Sequence, residues 1–234
     1  MNIRSRYGYI FVIVLLDYEV RVKLTVKESR KERERLRHRQ EILAAALQLF
    51  AAKGFHNVSM QEVAAAAEFA TGTLYNFFSS KEDLFFELLV ATAEESLGLV
   101  LPALEGPGDE RHRLAQFIRL HERIVREQAT AIRLYLLESR GRYLPQQKVE
   151  TRKKEFDTQV FGRIADVIAA GVRKGLFNNI DPAVAAQCLS AALKAITLAA
   201  VEDPQAVDLP AKLKKVEAVF FKGLVKSSGG KRDA

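Results

Sequence analysis

Residues 58–84, reading VSMQEVAAAAEFATGTLYNFFSSKEDL, hold two helix starts, a tight turn and a third helix start in one short stretch. Ser59 is placed to accept the backbone N–H of Glu62 while Glu62 reaches back to Ser59, and Val58 is placed to pack on Val63. A capping box and a hydrophobic staple are the two local devices that fix a helix start. Strong helix formers follow over 62–68, with Val63, Ala64 and Ala67 on one face, and Phe69 folds the turn onto a core. A second helix is expected over 71–78, with Leu74 and Phe78 four apart and facing inward. Ser79 with Glu82, or Ser80 with Asp83, then offers a capping box for a third, longer helix. This order of elements is the layout of a helix-turn-helix DNA reader.

The outward residues of the second helix suit a groove. Gly72 lets the backbone approach a phosphate or base edge closely. Thr73 offers a hydroxyl and a methyl, for a phosphate or a thymine methyl. Tyr75 and Asn76 extend to sugar-phosphate or base edges, and Thr71 stands at the helix start beside them. Taken alone, this helix is equally well an ordinary solvated surface helix. Lys81 shifts the balance. A lysine in the first turn of a helix opposes the macrodipole, whereas beside free N–H groups it makes a phosphate clamp.

Upstream, a helix is expected over 29–53. Leu36, Leu43, Leu47 and Phe50 form its inner stripe, Gly54 its C-cap, and Phe55 packs back. The whole pattern, Ile42-Leu43-x-x-Ala46-x-x-Leu49-Phe50-x-x-x-Gly54-Phe55, Ser59-x-x-x-Val63-Ala64, Gly72-Thr73-Leu74-Tyr75-x-x-Phe78 and Lys81-x-x-Leu84, resembles the DNA-binding domain of the TetR family of bacterial transcriptional regulators. It covers about a quarter of the chain, roughly 36–96. The resemblance implies an all-α protein with an N-terminal three-helix helix-turn-helix domain and a C-terminal helical ligand-binding and dimerisation domain. It places Ser59, Thr71, Thr73, Tyr75, Asn76 and Lys81 at positions the family uses on DNA. Two positions depart: Glu68 stands where the family usually has a turn glycine, and Ala70 where it has a capping serine. Ala is a poor N-cap, costing about 1 kcal/mol, and Thr71 is the candidate to take over.

The net charge of +7 and the isoelectric point near 9.5 invite a nucleic-acid reading, but the excess lies elsewhere. Residues 27–100 carry nine Lys/Arg against eleven Asp/Glu, and residues 101–234 carry 23 against 16. An arm of Lys27, Arg30, Lys31, Arg33, Arg35, Arg37 and Arg39 is diluted by Glu28, Glu32 and Glu34. It is either a source of phosphate contacts or a solvated helix end laced with Glu–Arg pairs. The pointer to DNA is the motif, not the charge. One cysteine, Cys188, excludes an internal disulfide and fits a reducing cytosol. Its Ala/Leu-rich surroundings read as those of a buried, inert thiol rather than a redox sensor. His121-Glu122 begins like H-E-x-x-H, but Val125 takes the second histidine position, so no metal set forms. Without a glycine-rich phosphate loop or nucleophile elbow, neither cofactor nor enzyme chemistry is expected. Asn57-Val58-Ser59 matches a glycosylation acceptor whose serine is already committed as a helix cap.

Four segments are expected. Residues 1–28 form an extension whose apolar run over 7–16 is too short to span a bilayer; it is a start-site artefact or a β-like extension. The DNA-binding domain spans 29–100, with its helix-turn-helix at 59–78. Pro102, Pro107 and two glycines mark a boundary before a helical domain over 101–226, and 227–234 is a polar tail. In the C-terminal part, helices are expected over 109–128, 130–140, 146–174, 182–201 and after Pro210. Asp181-Pro182 is a cap followed by first-turn proline.

The implied function is a cytoplasmic, nucleoid-associated regulator. It is a homodimeric repressor on a near-palindromic double-stranded operator, released by a small hydrophobic effector, with no membrane partner. A DNA-binding architectural protein without effector and a helical partner-binding module are the other readings. The dimer is expected through Ala185, Ala192 and Ala199 on one row, with Phe220 beyond. The effector pocket is expected at His121 and Tyr135 on adjacent helices, between Phe117 and Phe156 as aromatic walls.

Overall fold

The computed structural model describes residues 29–138 and 146–225, which form eight α-helices and no strand; an isolated antiparallel bridge joins Phe177 and Val225. The protein is all-α, as expected. The extension at 1–28, which holds Lys27, and the tail at 227–234 lie outside the described residues.

The chain divides into two units, residues 1–41 and residues 42–234. In the first, the described part is the opening of α1 (Arg30–Lys53). It carries Arg30–Glu34, Arg35–Glu32 and Arg37–Glu41 pairs at 3.0, 3.6 and 3.5 Å, all solvated. Such pairs contribute about 0.3–0.5 kcal/mol each. Leu36, expected on the inner stripe, is instead exposed.

The second unit holds two hydrophobic clusters. The first gathers Phe50 at the end of α1, Phe55 behind the left-handed Gly54 (φ +78°), and Phe85 of α4 (Lys81–Glu105). Their ring centroids lie 5.1–5.6 Å apart, and each ring is at most 1% exposed. Burial of such rings stabilises by about 1.5–3 kcal/mol apiece. Val58 and Val63 are both buried, as the staple requires. Between α1 and α4 lie α2 (Met60–Ala66) and α3 (Thr71–Tyr75), anchored by Val63 and Leu74.

α4 does not stop at 100. It runs through Pro102 to Glu105: the proline loses a hydrogen bond and crowds the preceding turn, and the burial of Val100 and Leu104 in the second cluster offsets that cost. The helix therefore ends inside the compositional break at 101–108, at Glu105 rather than near 100. α5 (Glu110–Glu138) is likewise one helix. The expected break after 128 is absent, because Gln128-Ala129-Thr130 contains neither glycine nor proline to make one. α6 (Gln146–Arg173) precedes Gly175 at φ +72°. α7 (Pro182–Glu202) starts on Asp181, whose Oδ1 accepts from Ala183 and Val184, with Pro182 in the first turn as expected. α8 (Leu209–Leu224) starts on Asp208 in the same way.

The second cluster packs the C-terminal half of α4 with α5–α8. Three contacts fix directions. Lys174, just past α6, meets Glu110 at the start of α5 at 2.5 Å. Arg119 of α5 pairs with Glu217 of α8 at 2.9 Å. Arg133 Nη2 donates to the Val201 carbonyl at 2.7 Å, so the C-terminal ends of α5 and α7 lie together. α5 also reaches back: Leu134 is buried in the first cluster, and Val149 of α6 packs beside it.

Candidate nucleic-acid interface

Local chemistry builds the α2–turn–α3 unit. Ser59 is extended (φ −99°, ψ 160°), and its Oγ accepts the Glu62 N–H at 3.2 Å. Glu62 Oε2 accepts the Ser59 N–H at 2.8 Å and the Ser59 hydroxyl at 2.9 Å. Lys53 Nζ donates to the other oxygen of that carboxylate at 2.6 Å. The Lys53 hydrogen bond first, then the two from Ser59, hold the Glu62 carboxyl at about 2 rather than its ordinary 4.5. Ser59, expected among the DNA contacts, thus commits its one hydroxyl proton to Glu62 and has none left for a phosphate.

The turn places Glu68 at φ +61°, a left-handed conformation that costs a non-glycine residue about 1 kcal/mol. Ala70 is the N-cap of α3 and makes no side-chain bond. Thr71 is the first helical residue, not the cap, which corrects the expectation that it takes over capping. α3 has five residues and ends at Tyr75, short of the expected 78. The N–H groups of Phe77 and Phe78 both reach back to the Leu74 carbonyl at 3.0 Å.

On this frame Tyr75 is 49% exposed, Gly72 and Asn76 are exposed, and Thr71 and Thr73 are half-buried. A Cβ added at Gly72 would meet nothing within 4 Å, so the fold itself does not call for glycine there. Gln61, exposed in the first turn of α2, lines an open groove of about 420 Å³ with His56, Asn57, Tyr75 and Lys81. Gln61 escaped the sequence-based expectation, although the periodicity of buried Met60, Val63 and Ala64 puts it on the outer face.

Lys81 requires a correction. Its Nζ donates to the carbonyls of Phe55, His56 and Val58 at 2.9, 3.3 and 2.9 Å and sits 4.5 Å from the centre of the Phe55 ring. Three carbonyls take three ammonium protons. The lysine has a structural role after all, since it ties down the loop that launches α2. Helix-dipole reasoning missed this because the partners lie more than 20 residues upstream.

The effector-side residues are only partly brought together. Phe117 and His121 stack edge to face at 5.1 Å, and His121 Nδ1 donates to the Phe117 carbonyl at 3.0 Å. Burial pushes the imidazole pKa down, against a smaller upward pull from backbone bonds. Phe156 packs half-buried on the same core. Tyr135 is not on an adjacent helix; it lies on the same α5, fourteen residues or about 21 Å along the axis from His121. A single compact pocket between those two does not form. The dimer row also needs correction: Ala185, Ala192, Ala199 and Phe220 are half-buried, Ala185 and Phe220 against the chain's own core. The exposed row of α7 is Val184, Cys188, Ala191 and Ala195, displaced by one position, and on α8 Val219 is 74% exposed. Cys188, expected buried, is exposed.

Residues 42–88 match the sequence profile of "Bacterial regulatory proteins, tetR family". The HTH-type transcriptional regulator UidR of Escherichia coli is 26% identical over 192 residues, covering 82% of this chain and 91% of the relative. The HTH-type transcriptional repressor KstR2 of Rhodococcus jostii is 26% identical over 60% of this chain and 68% of its own. The crystal structure of a regulator from Saccharomonospora viridis in complex with choline superposes with a TM-score of 0.68 at 21% identity, covering 81% of this chain and 98% of that one.

Proposed function

The chain belongs to the TetR family of bacterial transcriptional regulators, and from that premise we propose a homodimeric repressor that reads a near-palindromic operator in the cytoplasm and is released by a small, largely apolar effector. The observation that carries the DNA reading is the outer face of α3. Leu74 anchors the helix from beneath while Gly72, Tyr75 and Asn76 stand uncovered. Thr71, Thr73 and Gln61 join them at the duplex; Ser59 and Lys81 hold the frame.

Dimerisation is supported by α7, which by length and composition alone is apolar enough to cross a membrane yet only one-third buried. A second copy covering Val184, Cys188, Ala191, Ala195 and Val219 removes that apolar surface from water. Two heads on a two-fold axis read half-sites about 34–36 Å apart. Effector control is supported by α5, which carries Phe117, with His121 stacked on it, in the second cluster and Leu134 in the first, all on one helix. An effector that binds the released arrangement better than the operator-bound one shifts the population toward release.

A gel-shift titration against the DNA upstream of its own gene tests the reading. Tyr75→Ala with Asn76→Ala lowers affinity by at least tenfold while circular dichroism is unchanged. Unaltered binding by the double variant would sink it.

A further inference from the structure

Among the described residues three polar side chains are buried, Glu110, Gln128 and Thr197. Glu110 is answered by Lys174. Gln128 is 6% exposed and Thr197 8% exposed. The Ser96 hydroxyl of α4 donates to Gln128 Oε1 at 2.5 Å. That is the one hydrogen bond of the Gln128 side chain among the described residues, and Thr197 Oγ1 is buried without a partner. A hydroxyl left so is costly in a core.

These groups share one level of the bundle. Arg133 binds the Val201 carbonyl near the ends of α5 and α7, while Glu110 at the start of α5 binds Lys174, seven residues before the Asp181 cap of α7, so the two helices run in the same direction. Gln128 lies five residues before Arg133 and Thr197 four before Val201, which sets them at one height. Ser96 joins them from α4. His121 lies two turns from Gln128 on the same face of α5. Its Nδ1 faces a carbonyl, which only accepts, so that nitrogen carries the proton and Nε2 of the neutral ring is an acceptor.

We infer that Ser96, Gln128 and Thr197 form a hydrogen-bonding subsite for an uncharged ligand with an apolar body and a single carbonyl or hydroxyl head, His121 bordering it. This rests on the effector-controlled reading and names the ligand class for it. Gln128 offers two donors to a carbonyl, and Thr197 offers a donor and acceptor to a hydroxyl. A carboxylate or phosphate finds no cation among these groups, and a quaternary ammonium finds no anion, so either is buried at the cost of its hydration.

The test uses four probes with the same eight-carbon body: 1-octanol, 2-octanone, octanoate and octyltrimethylammonium. Affinity is measured by calorimetry on the full-length dimer, with operator release followed by fluorescence anisotropy. The neutral probes bind about tenfold more tightly than the ionic ones, and Gln128→Met with Thr197→Val, near-isosteric changes, erases that preference. If the polar residues only specify helix register, the double variant keeps the wild-type ranking, and the subsite is overturned. Tighter binding of an ionic probe that also releases operator overturns the subsite and leaves the effector reading standing. Neutral probes that bind at the subsite without releasing operator leave the subsite and remove the effector reading. If none of the four binds, the subsite is wrong.

Discussion

The head around α2 and α3 and the bundle of α4–α8 are held together by different means. α2 and α3 have seven and five residues, far below the length at which isolated helices persist in water. They exist because a capping box and a clamped loop fix the start of α2, and buried Val63 and Leu74 anchor the two helices to the core. The bundle helices run from 16 to 29 residues and rest on long apolar stripes. A surface that must present particular atoms to a duplex is built where local geometry is over-determined. A surface that must respond to a partner or ligand is built where long helices can shift as units.

The strongest challenge to this contrast is Phe85→Ala. Removing a fully buried ring from the Phe50–Phe55–Phe85 trio costs about 3–5 kcal/mol. Because α4 carries Phe85 in one cluster and Leu104 in the other, thermal unfolding should remain one transition at a lower midpoint. Two resolved transitions would show that head and bundle are independent. On the bundle side, Ala191→Arg places an unpaired charge in the proposed two-fold contact and weakens association by on the order of 3–5 kcal/mol. Sedimentation should find a folded monomer. Ala185→Arg strikes the chain's own core instead and should lower the melting point before it changes the sedimentation coefficient. The reverse ranking would restore the row first expected from the sequence.

Lys81→Met comes next. It removes three charged hydrogen bonds to loop carbonyls, about 1–3 kcal/mol after allowing for partial exposure. Affinity for operator falls through loss of the loop's shape, so the slope of log affinity against log salt stays as in wild type. A slope lower by about one unit would identify Lys81 as a phosphate contact after all.

The head was legible in outline because its devices are local. The Ser59–Glu62 box, the Gly54 cap and the outward placement of Tyr75 and Asn76 each follow from residues a few positions apart. Lys81 was misread for the same reason, since its acceptors at Phe55–Val58 are distant in sequence. In the bundle, periodicity found the inner stripes, but it did not separate half-buried Ala185 from exposed Ala191, because both are small and apolar. Nor did spacing reveal that Gln128 and Thr197 share a level, which depends on how α5 and α7 are docked.

Smaller gains are available in the turn. Glu68→Gly relieves a left-handed residue, and Ala70→Ser supplies the missing cap of α3. Each should stabilise the head by about 1 kcal/mol. Chemical denaturation measures both, and additivity is expected only in part because the two sites are neighbours. No gain at Ala70→Ser would mean that the cap position of α3 is set by the tertiary contacts of Leu74 rather than by local capping.

The smallest effect is a titration. Glu62 is depressed to about 2, chiefly by Lys53 and then by the two Ser59 bonds. A depressed carboxylate contributes stability that is fully present above its unfolded value near 4.5 and is lost as pH falls through about 2. The side chain is solvated, so screening keeps the contribution modest. Glu110 in the bundle is also lowered, first by its bond to Lys174, but it is buried and holds two long helices together. Acid should therefore loosen the start of α2 as Glu62 protonates, and weaken the tie between α5 and the end of α6 as Glu110 protonates. Carbon NMR of the carboxyl groups reads each site separately. In wild type the Glu62 resonance titrates near 2, and Lys53→Met moves it toward 4.5 while Glu110 is unmoved. A Glu62 midpoint near 4.5 in wild type would mean that the capping box and its lysine do not close in solution, and the over-determined geometry of the head would lose its first support.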